Sequence, residues 1–196
     1  MSLYLIYRLI SWAVNGVVFD LERFYRARLT LKRSRVLEIS TGFSYNTFNL
    51  VRFVEDLEGF LVSVDIDEKA VAWASKVLRR YIMRGSLDLM ICDARRMPFR
   101  DNSFEYLISH TTLHHIDDIE RVLEEFLRII RSRGRIVVVD LVPSILYTII
   151  PGHDRRTLST KMSRIMRFLE EKAEILERGL ERGFYYIIST TRLRDS

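Results

Sequence analysis

Three acidic residues each accompany a short apolar run in the first half of the chain. Glu38 lies near the end of the first run, Asp65 ends the second, and Asp93 follows the third. Runs of this length, rich in Val, Ile and Leu, predict buried β-strands. Carboxylates at the ends of neighbouring parallel strands can accept the ribose hydroxyls and amino groups of a nucleotide-type cofactor. One such acid is as often a helix cap, but three at successive strand ends favour a cofactor site.

The turn after the first acid consists mostly of small residues. Ser40-Thr41-Gly42-Phe43-Ser44 separates the first apolar run from a helical pattern. Small residues let the backbone approach a ligand, and the following helix presents free N–H groups and the positive end of its dipole. Loops of this kind are usually rich in glycine, so the turn alone is a weak signal.

Alternating strand and helix patterns position these residues. We predict strands near 35–40, 60–65, 87–92, 104–110, 135–141 and 184–190. Helical periodicity fills about 46–57, 68–84, 117–131 and 160–181. Short apolar strands that alternate with helices predict an α/β fold with a Rossmann-like, doubly wound and mostly parallel sheet. In such a sheet the ligand binds beyond the carboxyl ends of the strands.

Read in this order, the motifs resemble those of class I S-adenosylmethionine-dependent methyltransferases. Within that class the sequence looks most like the small-molecule enzymes of ubiquinone and menaquinone synthesis. The resemblance rests on Glu38–Gly42, Asp65, Cys92–Glu105, Leu113–Ile116, Arg121–Ile130 and Gly134–Asp140. It covers about residues 35–141, and 92–140 is its most specific part because a long ordered pattern is matched.

The resemblance implies S-adenosyl-L-methionine as the cofactor and assigns roles to the matched residues. The first strand end and its turn would hold the methionine end of the cofactor, through Glu38, Ser40, Thr41, Gly42 and Ser44. The next two strand ends would hold the nucleoside, with Asp65 at the ribose and Ile66, Asp93 and Ala94 at the adenine. His110, at the end of the fourth strand, would lie beside the sulfonium and the substrate.

The turn and the chain end depart from the family pattern. Ser40 and Ser44 replace glycines and therefore need a compatible backbone angle, and Phe43 replaces a small residue. Ser132-Arg133-Gly134 replaces a Pro-Gly-Gly turn. The family places two strands after the last helix, whereas only 184–190 stands out here.

His110 is the candidate catalytic residue. Methyl transfer from a sulfonium is an in-line displacement, for which the protein supplies alignment and desolvation. A general base is needed only where the acceptor must lose a proton. His114 and His115 are expected to serve packing and helix entry. His110 and His114 have the spacing of helical metal ligands, but we expect no metal site because His110 ends a strand.

Several patterns narrow the acceptor. The run His110–Leu113 differs from the Asn/Asp/Ser-Pro-Pro-aromatic run of enzymes that methylate base amines. Enzymes that methylate carbon 5 of pyrimidines need a nucleophilic cysteine near the fourth strand or the next. Cys92, the single cysteine, lies instead at the adenine end. Residues 3–19 and 141–151, expected to form the substrate mouth, are strongly apolar. These patterns favour a small, apolar acceptor. The alternative is that the two apolar segments simply pack on each other as a lid.

The N-terminal segment and the composition bound the remaining choices. Residues 3–19 carry a narrow polar stripe, which predicts an amphipathic helix on the domain's own core, on a partner chain or on a membrane surface. We expect one domain of 196 residues, with a helical lid at 1–30, the cofactor-binding core at 35–141, and a loop, helix and strand at 142–196. A single cysteine favours the cytoplasm.

The net charge of +5 comes mostly from arginines, several of them in pairs such as Arg79-Arg80 and Arg155-Arg156. Such a face could bind nucleic acid or anionic lipid, but the 26 interleaved acids favour an ion-paired surface. The sequence thus predicts a methyltransferase of a small apolar molecule. Two alternatives stay open: a degenerate cofactor-binding or scaffold protein of the same fold, and an RNA or protein methyltransferase.

Overall fold

The computed structural model describes residues 20–30, 32–143 and 154–192. The chain divides into two compact units, Met1–Asp93 and Ala94–Ser196. The described elements of the first unit are α1 (Leu21–Arg28), β1 (Arg35–Ile39), α2 (Tyr45–Asp56), β2 (Phe60–Asp65), α3 (Glu68–Val77), α4 (Arg79–Met83) and β3 (Leu87–Ile91). Those of the second are β4 (Phe104–His110), a short 3-10 helix (Leu113–His115), α5 (Ile119–Ile129), β5 (Ile130–Leu141), α6 (Arg155–Lys172), β6 (Ala173–Glu181) and β7 (Phe184–Thr191).

The strands of the first unit pair in parallel in the order β3-β2-β1. Most apolar residues of β1 and β2 are buried, because a central parallel sheet is covered on both faces, whereas Ile91 at the end of the outer strand β3 is 54% exposed. The register places Glu38 opposite Ser63, and Asp65 opposite Ile91. It therefore brings the polar groups at the strand ends to one edge of the sheet. Helix α1 packs on α2, where the rings of Tyr25 and Phe53 stack at 6.3 Å.

The second unit has a mixed sheet in the order β4-β5-β7-β6. Strands β4 and β5 are parallel, while β7 runs antiparallel to both β5 and β6. Arg128 of α5 fixes the loop before β4, because its guanidinium donates to the carbonyls of Phe99 at 2.7 Å and Met97 at 3.0 Å. Glu125 completes this arrangement, since it accepts the Met97 N–H at 2.9 Å and pairs with Arg128 at 2.8 Å. These contacts fix the path of the loop before β4, which lies within the most specific part of the sequence pattern.

The predicted helix over 160–181 is wrong in its second half. Helix α6 ends at Lys172, and residues 173–181 form β6, the strand that the sequence pattern missed before β7. The apolar residues of this segment fit a helical period, but pairing with β7 decides its structure. A tight turn joins the two strands, with Arg182 at φ 48° and Gly183 at φ 90°.

Two other predicted boundaries also change. The predicted helix over 68–84 is interrupted at Leu78, whose backbone (φ −104°, ψ 11°) separates α3 from α4. Strand β5 begins at Ile130, five residues before its predicted start at 135. Gly134 lies within it, and a Cβ there would come within 2.9 Å of the Glu105 carbonyl oxygen.

The two elements expected at the substrate mouth lie largely outside the described residues. This applies to residues 3–19 and to 144–151, and hence to the lid that we predict from them. Among the helices that the structure describes, none combines the length and the apolar character needed to cross a membrane.

Candidate functional site

Glu38 is buried in β1 and lies within a group of hydroxyl side chains. The Ser63 hydroxyl donates to Glu38 Oε2 at 2.5 Å and is itself 2.8 Å from the hydroxyl of Thr41. Burial raises the pKa of Glu38 to about 7, hydrogen bonds from Ser63 and Thr47 oppose this rise, and the charge of Asp65 adds to it. A bound cation would favour the ionised form of Glu38, so this carboxyl can neutralise an ammonium group in a dry site.

The turn after β1 uses left-handed backbone angles at three positions. Ser40 has φ 72°, Gly42 has φ 48° and Ser44 has φ 66°. The two serines thus keep the conformation that glycine adopts without strain, which is the backbone angle expected where serine replaces glycine in the family pattern. An L-residue in this region costs about 1–2 kcal/mol. Strain of this kind is often retained at ligand sites because the backbone must take one path there.

Asp65 ends β2 and accepts hydrogen bonds from the turn. Its Oδ2 accepts the Gly42 N–H at 2.8 Å and the Ser40 hydroxyl at 3.3 Å, while its Oδ1 accepts the Asp67 N–H at 2.9 Å. Asp67 in turn caps α3 through the Lys69 N–H at 2.8 Å. The half-buried Asp65 carboxylate is therefore held rigidly, with one edge turned to the turn residues.

Ser44 occupies the N-cap position of α2, but its side chain does not form the usual capping hydrogen bond. Its side chain makes no hydrogen bond to the helix, and within the described residues its buried hydroxyl has no hydrogen-bond partner. Buried hydroxyls in proteins are nearly always paired. Together with the positive end of the α2 dipole, this hydroxyl suits an anionic ligand group. Phe43, next to it, is half-buried.

Ile66 and Asp93 follow the ends of two neighbouring strands. The Cys92 N–H donates to the Asp65 carbonyl at 2.9 Å, so the segment that leads to Asp93 stays beside the end of β2. Ile66 is 64% exposed, which leaves an apolar side chain uncovered beside a polar strand end. The first unit thus brings together the predicted residues of the turn and of β1 to β3, whereas Ala94 and His110 belong to the second unit.

His110 is the last residue of β4 and is buried. Its Nδ1 lies 3.1 Å from the hydroxyl of Thr111, and its ring lies 5.7 Å from the ring of Phe184. Burial lowers the pKa of His110 to about 3, although the charge of Asp140 partly opposes this shift. The imidazole is therefore neutral at physiological pH, and it is a weak base in this environment.

A buried pair of His114 and Asp140 was missed by the sequence analysis. Asp140, at the end of β5, lies 2.5 Å from His114 Nδ1 through Oδ1 and accepts the His114 N–H at 3.1 Å through Oδ2. Burial alone would raise the pKa of Asp140, but the charge and hydrogen bonds of His114 outweigh it and hold that pKa below its usual value. The pair ties the segment after β4 to β5. The position of Asp140, directly after an apolar run, is the signal that could have revealed it.

These features define an α/β protein with a cofactor-type site, in which buried and half-buried carboxylates lie beside a strained turn at the carboxyl ends of parallel strands. The profile of the family described as "Methyltransferase domain" matches residues 37–138, which is more than half of the chain. The chain belongs to this family.

Curated relatives carry the name ubiquinone/menaquinone biosynthesis C-methyltransferase UbiE. The chain is 37% identical to that of Desulfotalea psychrophila over 65 residues, which cover 33% of this chain and 26% of the relative. It is 25% identical to that of an Enterobacter species over 119 residues, covering 61% of this chain and 47% of the relative. The matched part thus spans half the length of these relatives or less.

A crystal structure of a SAM-dependent methyltransferase from Aquifex aeolicus superposes on the chain with a TM-score of 0.82. The two are 14% identical, and the superposition covers 98% of this chain and all of the other. The comparison confirms the predicted fold class, the Rossmann-like methyltransferase fold. The family and fold are those of enzymes that use S-adenosyl-L-methionine.

Proposed function

We propose that this chain transfers the methyl group of S-adenosyl-L-methionine to a small, apolar molecule. The observation that carries the proposal is the geometry around β1 and β2. A buried carboxyl, Glu38, and a half-buried carboxylate, Asp65, lie on either side of a turn with three left-handed residues. A turn of this kind lets a ligand approach the backbone closely.

The residues present fit this cofactor. Glu38 would neutralise its ammonium group, and the buried Ser44 hydroxyl with the start of α2 would bind its carboxylate. Asp65 would accept the ribose hydroxyls, and Ile66 would pack on the adenine beside Asp93 and Ala94. A Cβ built on Gly42 would meet only the Ser40 hydroxyl oxygen, at 4.0 Å, so the turn leaves open space for a ligand.

When bound, the cofactor supplies an electrophilic methyl group, so the protein needs to align the acceptor and exclude water. We assign His110 to the acceptor side. Its buried, neutral imidazole adds no positive charge near a sulfonium and can accept a hydrogen bond. With a pKa of about 3 it is better suited to orient an acceptor than to remove its proton in the free protein.

The apolar character of the acceptor follows from two arguments. The segments expected at the substrate mouth, 3–19 and 141–151, are rich in aliphatic residues and carry Tyr4, Tyr7 and Tyr147. In addition, the curated relatives are named as C-methyltransferases of quinone biosynthesis. An acceptor with an apolar body is the class that both arguments favour.

Two measurements test the proposal in order. Calorimetric titration with S-adenosyl-L-homocysteine should show binding, and Asp65→Asn should weaken it about ten-fold or more, since a charge-assisted hydrogen bond is lost. Asp67→Asn, which can still cap α3, is the matched control. The protein should then be incubated with methyl-labelled cofactor and a cell lysate. Label is expected in the fraction that organic solvent extracts from the lysate. Label found only in protein or RNA would contradict the small-molecule acceptor.

A second candidate is a protein of this fold that lacks methyl transfer. The observation in its favour is that the turn itself occupies Asp65, through Gly42 and Ser40. A crystal grown with the cofactor would separate the two candidates. Displacement of the Ser40 hydroxyl by the ribose, together with label transfer in the assay above, supports methyl transfer. A turn that keeps these contacts with no cofactor bound, or a bound cofactor that transfers no label, supports the second candidate.

A further inference from the structure

One stretch of the first unit carries basic residues without acidic ones. Between Glu68 and Asp88 the sequence contains five basic residues, Lys69, Lys76, Arg79, Arg80 and Arg84, and no acid. Two other stretches, Glu22–Glu38 and Asp154–Glu170, also enclose basic but no acidic residues, but several of these bases pair with carboxylates, as Arg26 does with Asp56 and Arg164 with Glu120. The stretch forms α3 and α4, so its charges lie on two successive helices.

Apolar side chains are exposed among these charges. Met83 is 73% exposed and Val77 is 47% exposed, and both belong to these two helices. Phe48 of α2 is 38% exposed. Single exposed apolar residues are common, but an aliphatic side chain one helical turn from two arginines forms an amphipathic surface.

Ring contacts join the helices into one surface. The ring of Phe48 lies edge-on to Tyr81 of α4 at 6.2 Å, and the Arg52 guanidinium lies over Phe48 at 5.6 Å. Arg80 covers the ring of Tyr81 at 4.4 Å. We call this the α2–α4 surface, and it comprises Phe48, Arg52, Val77, Arg79, Arg80 and Met83.

The charges of this surface are largely uncompensated. Arg84 lies 3.7 Å from Glu55 of α2. In the part of the chain that the structure describes, Lys76, Arg79 and Arg80 have no carboxylate partner. Each cation near an anionic bilayer adds favourable energy, so several together act as one docking site.

We propose that the α2–α4 surface docks on an anionic lipid bilayer, with the arginines at the headgroups and Met83 and Val77 at the boundary with the acyl chains. Nucleic acid fits less well, because it calls for aromatic faces open to stacking, whereas Tyr81 is buried under Arg80 and the ring of the partly exposed Phe48 lies under Arg52. The exposed side chains are chiefly aliphatic, which suits insertion between lipids. This inference does not depend on methyl transfer.

Co-sedimentation of the full chain with vesicles tests the proposal. Binding to vesicles of phosphatidylcholine with 30% phosphatidylglycerol is expected at about 0.1 M salt and should weaken as salt rises, while pure phosphatidylcholine should bind poorly. The double charge reversal Arg79→Glu with Arg80→Glu should reduce binding about 25-fold or more, because each cation contributes roughly five-fold. Met83→Ser should reduce it several-fold without changing the salt dependence.

Arg155→Glu with Arg156→Glu is the matched control, since it makes the same charge change at the exposed start of α6. Because both double variants change the net charge equally, a general charge effect would weaken vesicle binding equally in both. If binding is local to the α2–α4 surface, this control should leave it within about two-fold. Equal losses in the two double variants would overturn the proposal. So would an absence of vesicle binding together with single-stranded RNA binding that Arg79→Glu with Arg80→Glu removes. Unchanged circular dichroism of the variants excludes unfolding as the cause.

Discussion

Ser40, Ser44 and Glu38 show what individual residues contribute to the candidate site. The two serines adopt left-handed angles that glycine would adopt without strain, and Ser44 buries a hydroxyl without a partner among the described residues. Glu38 is a buried carboxyl whose pKa is raised to about 7. We expect each feature to destabilise the ligand-free protein, and we expect the buried hydroxyl and the buried carboxyl to be paired when a charged ligand binds. Stability and binding are therefore expected to respond in opposite directions to substitution here.

Glu38→Gln should stabilise the ligand-free protein at high pH. The folded-state pKa of about 7 lies above the roughly 4.3 of an unfolded glutamate, so the stability linked to protonated Glu38 is lost as the pH rises through 7. We expect the variant to gain roughly 2–4 kcal/mol at pH 8.5 but only about 1 kcal/mol at pH 5, because the loss builds up between about pH 4.3 and pH 7. Urea unfolding at both pH values measures this, with the exposed Glu171→Gln as control. A gain that does not depend on pH would contradict the assigned pKa.

Ser44→Gly should be more stable than Ser44→Ala. Both variants remove the buried hydroxyl, and neither loses a capping bond, because Ser44 makes none. Only glycine relieves the strain of φ 66°, although it also adds freedom to the unfolded chain. The expected difference in the free energy of unfolding is about 1 kcal/mol. Equal or reversed stabilities would show that the left-handed angle at this position carries no strain.

At the scale of elements, the polar contacts of α5 give a structural reason for the sequence pattern over 92–140. In the loop over Met97–Asp101, Met97 is buried and the ring of Phe99 packs on Phe104 at 5.0 Å. Arg128 adds polar contacts to two carbonyls and to the Asp101 carboxylate. The nearby carboxylate of Glu125 has its pKa lowered, chiefly by its hydrogen bond with Arg128. The motif therefore specifies a loop path as much as a ligand contact.

Arg128→Ala should destabilise the protein by about 2–4 kcal/mol, because it leaves two carbonyls without this donor and the buried Glu125 carboxylate without its arginine partner. Chemical denaturation measures the change. The exposed Arg167→Ala on α6 makes the same change of residue and should be nearly neutral. If Arg128→Ala behaved like Arg167→Ala, the guanidinium would not be holding the loop.

At the scale of the whole molecule, the chain has the fold of a methyltransferase over nearly its full length. Cofactor binding should therefore act on the global unfolding transition. S-adenosyl-L-homocysteine at 100 times its dissociation constant should stabilise the protein by about 2.7 kcal/mol. For a chain of this size that corresponds to a rise in Tm of about 5–10 °C. Thermal denaturation measures it, and Asp65→Asn should lose about half of the rise or more at the same ligand concentration. A rise that Asp65→Asn keeps in full would place the ligand elsewhere.

The sequence by itself determined the alternation of strands and helices and the acids at the strand ends. These are local properties, since the apolar periodicity that predicts each element depends on residues close together in the chain. It also placed Glu38, the turn and Asp65 at one edge of a sheet, because parallel strands share the direction of their carboxyl ends. It failed at 173–181, where the period fitted a helix and the partner strand β7 decided otherwise.

Only the tertiary structure decided the partners that give these residues their properties. Ser63 and Thr47 lie on other elements than Glu38, and His114 meets Asp140 across two strand ends. Such pairs join residues far apart in the chain, and no local pattern encodes the distance between them. The raised pKa of Glu38, the lowered pKa of His110 and the amphipathic α2–α4 surface all arise from that packing. The physical reason is that burial and pairing depend on which elements meet, whereas the tendency to form each element depends on its own residues.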